Sequence, residues 1–214
     1  PKFFHPDPTV KKQSGFLMPA FKSSTSLGSS FEIPYYHVIS SNKDFTFTPR
    51  LYSNDKALLQ SEYRVVNSKS KHLIDFGFVA ENNKSSKTHF FSNTNKQISL
   101  NNFDESELNI QLERTSNDTY LKVYKIKSPL ITEEDTLTSS VSIDGYRPDL
   151  SFNIDFRAFE DLNKPKSDRY EYVYPSYNLL KEFGENSEIN GNFSLNSTGY
   201  LKNSDTNTSE NVII

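Results

Sequence analysis

Apolar and polar residues alternate with a period of two along most of this chain, and this pattern favours β-strands over helices. Clusters of Asn, Ser, Lys, Asp and Gly separate the alternating runs, and such clusters are typical of turns. The sharpest run is 150–158, where one face is apolar and the other wholly polar: Leu150, Phe152, Ile154, Phe156 and Ala158 against Ser151, Asn153, Asp155 and Arg157. The sequence therefore predicts an all-β chain.

The turn clusters divide the chain into thirteen predicted strands. Helix signals are scarce, and they predict one turn at 103–108 and one or two turns at 177–183. The predicted strands are 15–24, 29–40, 43–53, 57–67, 71–81, 86–93, 107–116, 119–126, 137–146, 149–161, 169–179, 188–202 and 209–214.

Many of these strands approach the roughly 9–11 residues that a tilted strand needs to cross a membrane. Long antiparallel strands with one apolar and one polar face are typical of outer-membrane barrels. A large soluble β-sandwich or solenoid would produce similar alternation, so the pattern alone leaves both open. In a barrel the apolar side chains would all point to one outer surface, whereas in a sandwich they would meet in a core. The side chains that decide between these folds are Ile74, Phe76, Phe78, Leu150, Phe152, Ile154 and Phe156.

Composition argues against several functional classes. The net charge of −3 provides no basic surplus for binding nucleic acid. The absence of cysteine excludes a disulfide framework, a thiolate nucleophile and a Cys-based metal site. No phosphate-binding glycine loop or nucleophile elbow occurs. We therefore expect no enzyme activity, catalytic residue, metal or cofactor. The four histidines, His5, His37, His72 and His89, lack metal-ligand spacing. His37 and His89 are interpreted as packed or lumen-facing.

Two prolines interrupt the first predicted hairpin. Pro19 and Pro34 each lie within an alternating run, on either side of a Ser/Gly turn. Proline cannot donate a ladder hydrogen bond and is normally confined to edges, strand starts or bulges. Neighbouring strands that both lose a donor therefore require an explanation.

Residues 5–64 carry a series of short motifs that offers an explanation for the two prolines. In order and spacing, these motifs resemble the LPS-assembly protein (LptD) family, and residues 116–122 resemble a further segment of it; beyond about residue 125 the resemblance is only a general run of strands. The matching positions are 14–17, Pro19, 33–36, Asn42, Asp44, 48–50, 59–60 and 62–64.

The resemblance implies a translocon for lipopolysaccharide in the Gram-negative outer membrane. Members of this family have a periplasmic jellyroll followed by a large transmembrane β-barrel that holds an LptE-type lipoprotein as a plug. Their partners are lipopolysaccharide and a periplasmic bridge protein. The chain would be an internal fragment, with residues 1–14 as the junction from the jellyroll and 15–214 as the N-terminal portion of the barrel. Another outer-membrane porin or receptor barrel, or a soluble β-rich glycan-binding module, are the alternatives.

The resemblance also suggests roles for individual residues. Pro19 and Pro34 coincide with the family's two gate prolines, which weaken the seam between the first and last strands so that it opens as a lateral gate. Pro49 is interpreted as an ordinary bulge proline. A hydrated lumen that admits the glycan would be lined by the polar residues Asp44, Thr46, Thr48, Arg50, Asn153, Asp155 and Arg157. As a fragment, the chain should form an open, strongly curved antiparallel meander with its first edge near 15–24.

Overall fold

One antiparallel sheet contains most of the residues in the computed structural model, which describes residues 12–25, 27–81, 85–184, 191–204 and 210–213. Its strands are β1 (Gly15–Phe16), β2 (Ala20–Ser24), β3 (Gly28–Glu32), β4 (Tyr35–Ser40), β5 (Lys43–Tyr52), β6 (Lys56–Asn67), β7 (Ser70–Glu81), β8 (Lys87–Gln97), β9 (Glu105–Thr115), β10 (Thr136–Arg147), β11 (Leu150–Asp161), β12 (Tyr170–Phe183), β13 (Phe193–Ser204) and β14 (Glu210–Ile213). One helix, α1 (Tyr120–Tyr124), follows β9, and a 3₁₀ turn, Lys166–Asp168, precedes β12.

The sheet is an antiparallel meander, as predicted. From β4 to β14 each strand pairs with its sequence neighbours. At the start of the sheet, β1 pairs with β4 and β2 with β3, while β3 and β4 both pair with β5. Residues 15–24 and 29–40 are therefore two long strands, each broken in the middle. Among the described residues the sheet is open, with β1 and β2 along one edge and β14 along the other.

The predicted strand at 119–126 is wrong, because the chain leaves the sheet after β9 and forms α1. The Thr119 N–H donates to Asn117 Oδ1 at 3.2 Å, which turns the chain before the helix. Lys125 then ends the helix with a left-handed backbone (φ 48°). The buried positions, Tyr120, Leu121 and Tyr124, follow helical rather than strand spacing.

The helix turns predicted at 103–108 and 177–183 are also wrong. Residues 105–108 begin β9, and 177–183 continue β12 to Phe183. β12 is paired on both sides, with β11 and with β13, and these two ladders outweigh the local helix propensity of 177–183. For the same reason β8 continues to Gln97 rather than ending near residue 93.

The register gives the sheet one apolar and one polar face. Successive pairings from β7 to β11 place most of the apolar side chains of those strands on the same face. Several of them are exposed there, including Phe76, Ile154 and Phe156. The seven side chains whose placement separates an outer surface from a sandwich core all lie on this apolar face: Ile74, Phe76, Phe78, Leu150, Phe152, Ile154 and Phe156. Within the described residues, no helix is long and apolar enough to cross a membrane.

Within the described residues, the hydrophobic core lies on the opposite, polar face at one end of the sheet. There residues 116–135, which we call the covering loop, fold back over the strands. The core contains residues of the loop, of the strands beneath it and of neighbouring turns: Leu27, Tyr52, Leu58, Val79, Phe91, Tyr120, Leu121, Tyr124, Ile126, Leu137 and Leu162. We call this the covered end of the sheet.

Candidate functional site

The first hairpin is broken at the level of its two prolines. Phe16 pairs with Tyr35 and Ala20 with Glu32, so three residues of the first strand oppose two of the second. This mismatch is a bulge, and residues 17–19 form it. A bulge interrupts the ladder and increases the local twist, so the hairpin consists of two short ladders joined at residues 17–19 and 33–34.

The hydrogen bonds show where each missing N–H lies. Leu17 donates to the carbonyl of Pro34 at 2.8 Å, but Pro34 has no N–H to return to Leu17. Backbone groups of successive strand residues point to opposite sides. Ile33 donates to Pro49 at 3.2 Å, so it faces β5, and Glu32, paired with Ala20, faces the first strand. Pro19 lies within the bulge, beside the free edge, and has no N–H to donate.

Pro49 does not mark a bulge, which corrects the sequence-based interpretation. β5 and β6 keep one register from Lys43 to Leu51, and Pro49 pairs with Leu59 without a shift. Pro49 accepts a bond from Ile33 but cannot return one. The loss of donors therefore extends from the free edge through the first hairpin and into the ladder between the second and third long strands.

The polar residues singled out in the sequence lie on the polar face. Asp44, Thr46, Thr48 and Arg50 share the face of β5 that the covering loop reaches. Asp44 is buried, where Lys12 contacts it at 2.9 Å and Arg64 bonds to its other oxygen. Farther along the sheet the register puts three more on the same face: Asn153, Asp155 and Arg157. Asp155 is buried beneath the Arg157 guanidinium, which bonds to both its oxygens.

A chain of amides and carboxylates crosses the polar face at the end away from the covering loop. Asn95 donates to Asn109 at 2.9 Å and also to Glu107. Asn153 donates to Asp144 at 2.6 Å, and Asn109 reaches the other oxygen of Asp144 at 3.4 Å. A cavity of about 890 Å³ opens over these strands. The surface can exchange hydrogen bonds with a hydroxyl-rich or hydrated molecule, because both donors and acceptors line it.

At the covered end, a buried polar network fastens α1 to the sheet. His89 contacts the Tyr120 hydroxyl through Nδ1 at 3.0 Å and Asp75 through Nε2 at 3.2 Å, and all three residues are almost completely buried. Gln60 donates to both oxygens of Asp75 and, at 2.8 Å, to the carbonyl of Lys127 in the covering loop. The interpretation of His89 as a packed histidine fits this arrangement, because its ring stacks on Phe91 at 4.5 Å.

Arg50 is the second link between the loop and the sheet. Its Nη1 donates to the backbone carbonyl of Tyr124 at 2.9 Å. Its Nε and Nη2 contact Glu32 of β3 at 2.7 and 2.6 Å, and Lys22 of β2 contacts the same carboxylate at 2.9 Å. Arg50 therefore lies beneath the covering loop, buried and fully bonded, rather than facing open solvent.

The covering loop is anchored on its other side by an ion pair between a buried arginine and a half-exposed aspartate. Arg169, just before β12, makes a bidentate contact with Asp118 at 2.8 and 2.7 Å. The hydrogen bond from this guanidinium lowers the pKa of the Asp118 carboxyl below its usual range. Lys122 of α1 reaches Asp135 at the end of the loop, at 3.4 Å. The loop is thus fixed to β5, to β7 and β8, and to the segment before β12.

Sequence reasoning found the prolines and the polar face but missed the residues that the covering loop brings together. No sequence feature was recognised that would have identified Tyr120, Tyr124 or Leu27. The feature available for the covering loop was the helical spacing of Tyr120, Leu121 and Tyr124. No group of three or more His, Cys, Asp or Glu side chains suited to a metal occurs in the part of the chain that the structure describes.

Comparison with known proteins finds relatives named LPS-assembly protein LptD. An LPS-assembly protein LptD from Pseudoalteromonas atlantica is 27% identical over 158 residues, which is 72% of this chain and 20% of the relative. Proteins of the same name from Paraburkholderia xenovorans and Shewanella oneidensis are 44% identical over 54 residues (25% of this chain, 7% of the relative) and 38% identical over 68 residues (30% and 9%). The chain is similar to LPS-assembly proteins. It spans about a fifth or less of these relatives, and no family model matches it.

Proposed function

We propose that this chain is part of an outer-membrane protein of Gram-negative bacteria that transports lipopolysaccharide and inserts it into the outer leaflet. In this proposal residues 15–214 are the N-terminal portion of a transmembrane β-barrel. Residues 1–14 are the junction from a periplasmic jellyroll, and 1–11 of them lie outside the described residues. The broken first hairpin is one side of a lateral gate, with Pro19 and Pro34 as the gate prolines.

The observation that carries the proposal is the place of the two missing donors. Pro34 removes a bond inside the first hairpin, and Pro19 lies in the bulge beside the edge that a closing strand would pair with and has no N–H to offer. Each net hydrogen bond contributes about 0.5–1.5 kcal/mol. Two missing bonds near the seam therefore favour its opening by roughly 2 kcal/mol, which is about 30-fold in the open population. Pro49 removes a further donor one ladder farther from the edge, and the pairs of β12 with β11 and with β13 each contain a register shift.

The faces of the sheet support a position in the membrane. Strands from β5 to β13 have 10 to 14 residues, enough to cross hydrocarbon when tilted. The apolar face has no covering layer among the described residues, so lipid is the environment that fits it. A soluble glycan-binding module fits less well, because its apolar side chains would be expected to meet in a core.

The polar face supports transport of an amphipathic glycolipid. The amide and carboxylate chain through Asn95, Asn109, Asp144 and Asn153 offers many groups to the sugars of lipopolysaccharide, while the acyl chains would leave through the gate. The lumen-facing set comprises Asp44, Thr46, Thr48, Arg50, Asn153, Asp155 and Arg157. An LptE-type lipoprotein in the lumen and a periplasmic bridge protein that delivers lipopolysaccharide complete the proposal, and the chain itself performs no enzymatic step.

The experiment replaces both gate prolines by valine in the full-length protein, in cells that depend on it. Pro19→Val and Pro34→Val together should strengthen the seam and reduce surface lipopolysaccharide. Assembly of the protein and its binding of the lipoprotein should continue. Pro49→Val is the matched comparison, because it restores a bond one ladder farther from the edge and should have a smaller effect. Normal export in the double variant, or equal impairment by Pro49→Val, would refute the gate assignment.

A further inference from the structure

The part of the first hairpin beyond the proline break is attached to the sheet by a short ladder. We call β2 and β3 the flap. β3 pairs with β5 through three residue pairs, Ser30 to Glu32 with Tyr52 to Arg50, whereas β5 and β6 share nine. Two further backbone bonds extend this ladder at its ends, from Ser53 to Ser29 at 2.9 Å and from Ile33 to Pro49 at 3.2 Å. With the bulge and the prolines at its base, the flap has the geometry of a hinged element.

Side chains at the covered end supply the rest of the attachment. Arg50 holds Glu32 of the flap with two nitrogens and the Tyr124 carbonyl of the covering loop with a third. Leu27, in the turn of the flap, is buried in the same core as Tyr124. The flap and the covering loop are therefore bound to each other through one guanidinium and one shared hydrophobic cluster.

We propose that Arg50 is a positioning residue that couples the covering loop to the flap, so that release of the loop frees the flap to swing at the proline hinge. The proposal rests on the proposed function in treating the first hairpin as a gate. The planar guanidinium can bond to a carboxylate and a carbonyl at the same time. When the loop leaves, Arg50 loses its carbonyl partner, Leu27 loses part of its packing, and only the short ladder and the Glu32 contact still hold the flap.

The coupling can be measured on the purified full-length protein without any lipopolysaccharide. Spin labels at Ser23 of the flap and Ser68 in the turn between β6 and β7, both exposed, report the position of the flap relative to the sheet. Arg50→Gln should raise the displaced fraction of the flap about tenfold, which is the size expected for loss of a charge-assisted bond. Arg114→Gln is the matched control, because Arg114 also contacts a glutamate, Glu160 at 3.3 Å, but not the flap or the loop.

A second substitution separates coupling from simple loss of stability. Gly77→Ala places a Cβ against His89 and Tyr120 and should displace the covering loop. If Arg50 couples the two elements, Gly77→Ala moves the flap when Arg50 is present and has little further effect in the Arg50→Gln protein. Equal effects of Gly77→Ala in both backgrounds, or an unchanged flap in Arg50→Gln, would overturn the proposal.

Glu32→Gln keeps the experiment decisive should Arg50→Gln fail to fold. It removes the charge from the flap side of the same contact and leaves the bond from Arg50 to Tyr124, so it should loosen the flap while the loop stays in place. A flap that stays in place in Glu32→Gln would also overturn the coupling. These distances are independent of export, so a flap that responds to Arg50 in a protein whose export ignores Pro19 and Pro34 would refute the gate and leave the coupling intact.

Discussion

Alanine at position 77 should detach the covering loop from the polar face. Gly77 lies on β7 directly beneath the contact between His89 and Tyr120. A Cβ at this position would lie 2.6 Å from His89 Nδ1 and 2.8 Å from the Tyr120 hydroxyl. Both distances are far below van der Waals contact, so either the His89 ring or α1 has to move.

The His89 ring has little freedom to move. Asp75 holds Nε2 at 3.2 Å, and the ring stacks on Phe91, which is itself completely buried. The strain therefore falls on Tyr120 and the covering loop. Overpacking of a well-packed site costs about 1–3 kcal/mol. If docking of the loop bears this cost, the undocked population rises roughly 5- to 150-fold.

Trypsin can measure this population, because Lys122, Lys125 and Lys127 lie in the covering loop. When opening and closing are fast relative to cleavage, the cleavage rate follows the open population. Gly77→Ala should therefore be cut in the loop much faster than the parent protein. Gly15→Ala is the matched control, since no atom lies within 4 Å of the added Cβ. Cleavage of Gly77→Ala at the parental rate, or equal acceleration in both variants, would refute the reasoning.

Three further predictions concern the loop anchor, the orientation and the apolar face. Because Arg169 lowers the pKa of Asp118, their pair stabilises the loop above about pH 4, the ordinary aspartate value, and this stabilisation is lost as the pH falls through the lowered pKa; the hydrogen-exchange protection factors of residues 116–135, each taken against the intrinsic rate at the same pH, should fall on acidification, and Asp118→Asn should remove that step. If the N-terminus is periplasmic, a cysteine at Asn54 should react with an impermeant label on whole cells and one at Ser68 should not; the reverse result would invert the orientation. Phe76→Arg should reduce assembly into the outer membrane, since a cation on a lipid-facing strand costs about 2–4 kcal/mol near the bilayer centre; normal assembly, assayed by heat-modifiable gel mobility, would argue against lipid contact.

The sheet itself could be predicted because its signal is local. In β5 and β11 the two faces differ along most of the strand, and this alternation requires no knowledge of the partner strand. The ends of β8 and β12 were missed because pairing with both neighbours extended these strands beyond their local pattern. The break in the first two long strands was signalled by Pro19 and Pro34. The place of the prolines relative to the bulge, however, depends on the register, which the sequence of a single hairpin does not determine.

The covering loop could not be predicted because its contacts are distant in sequence. Tyr120, Lys122 and Tyr124 alternate as in a strand, and only the burial of Leu121 shows the helical spacing. Arg50 was identified as a residue of the polar face, but its partner Tyr124 is 74 residues away in the sequence. A positive charge on a strand gives no indication that a later loop will return to cover it.

The environment that suits the apolar face makes the free edge costly. In water, an uncovered band that includes Phe76, Ile154 and Phe156 would promote association. In hydrocarbon the same band is favourable, but each unpaired backbone group along β1 and β2 costs several kcal/mol. A closing strand on this edge would satisfy those groups along β1 and β2, but the bulge at residues 17–19, where Pro19 has no N–H, would interrupt its ladder. The ladder formed there would be less regular than that of an unbroken pair and would lie beside a first hairpin that Pro34 has already weakened. Among the ladders a barrel needs, the one at this edge is therefore expected to open first.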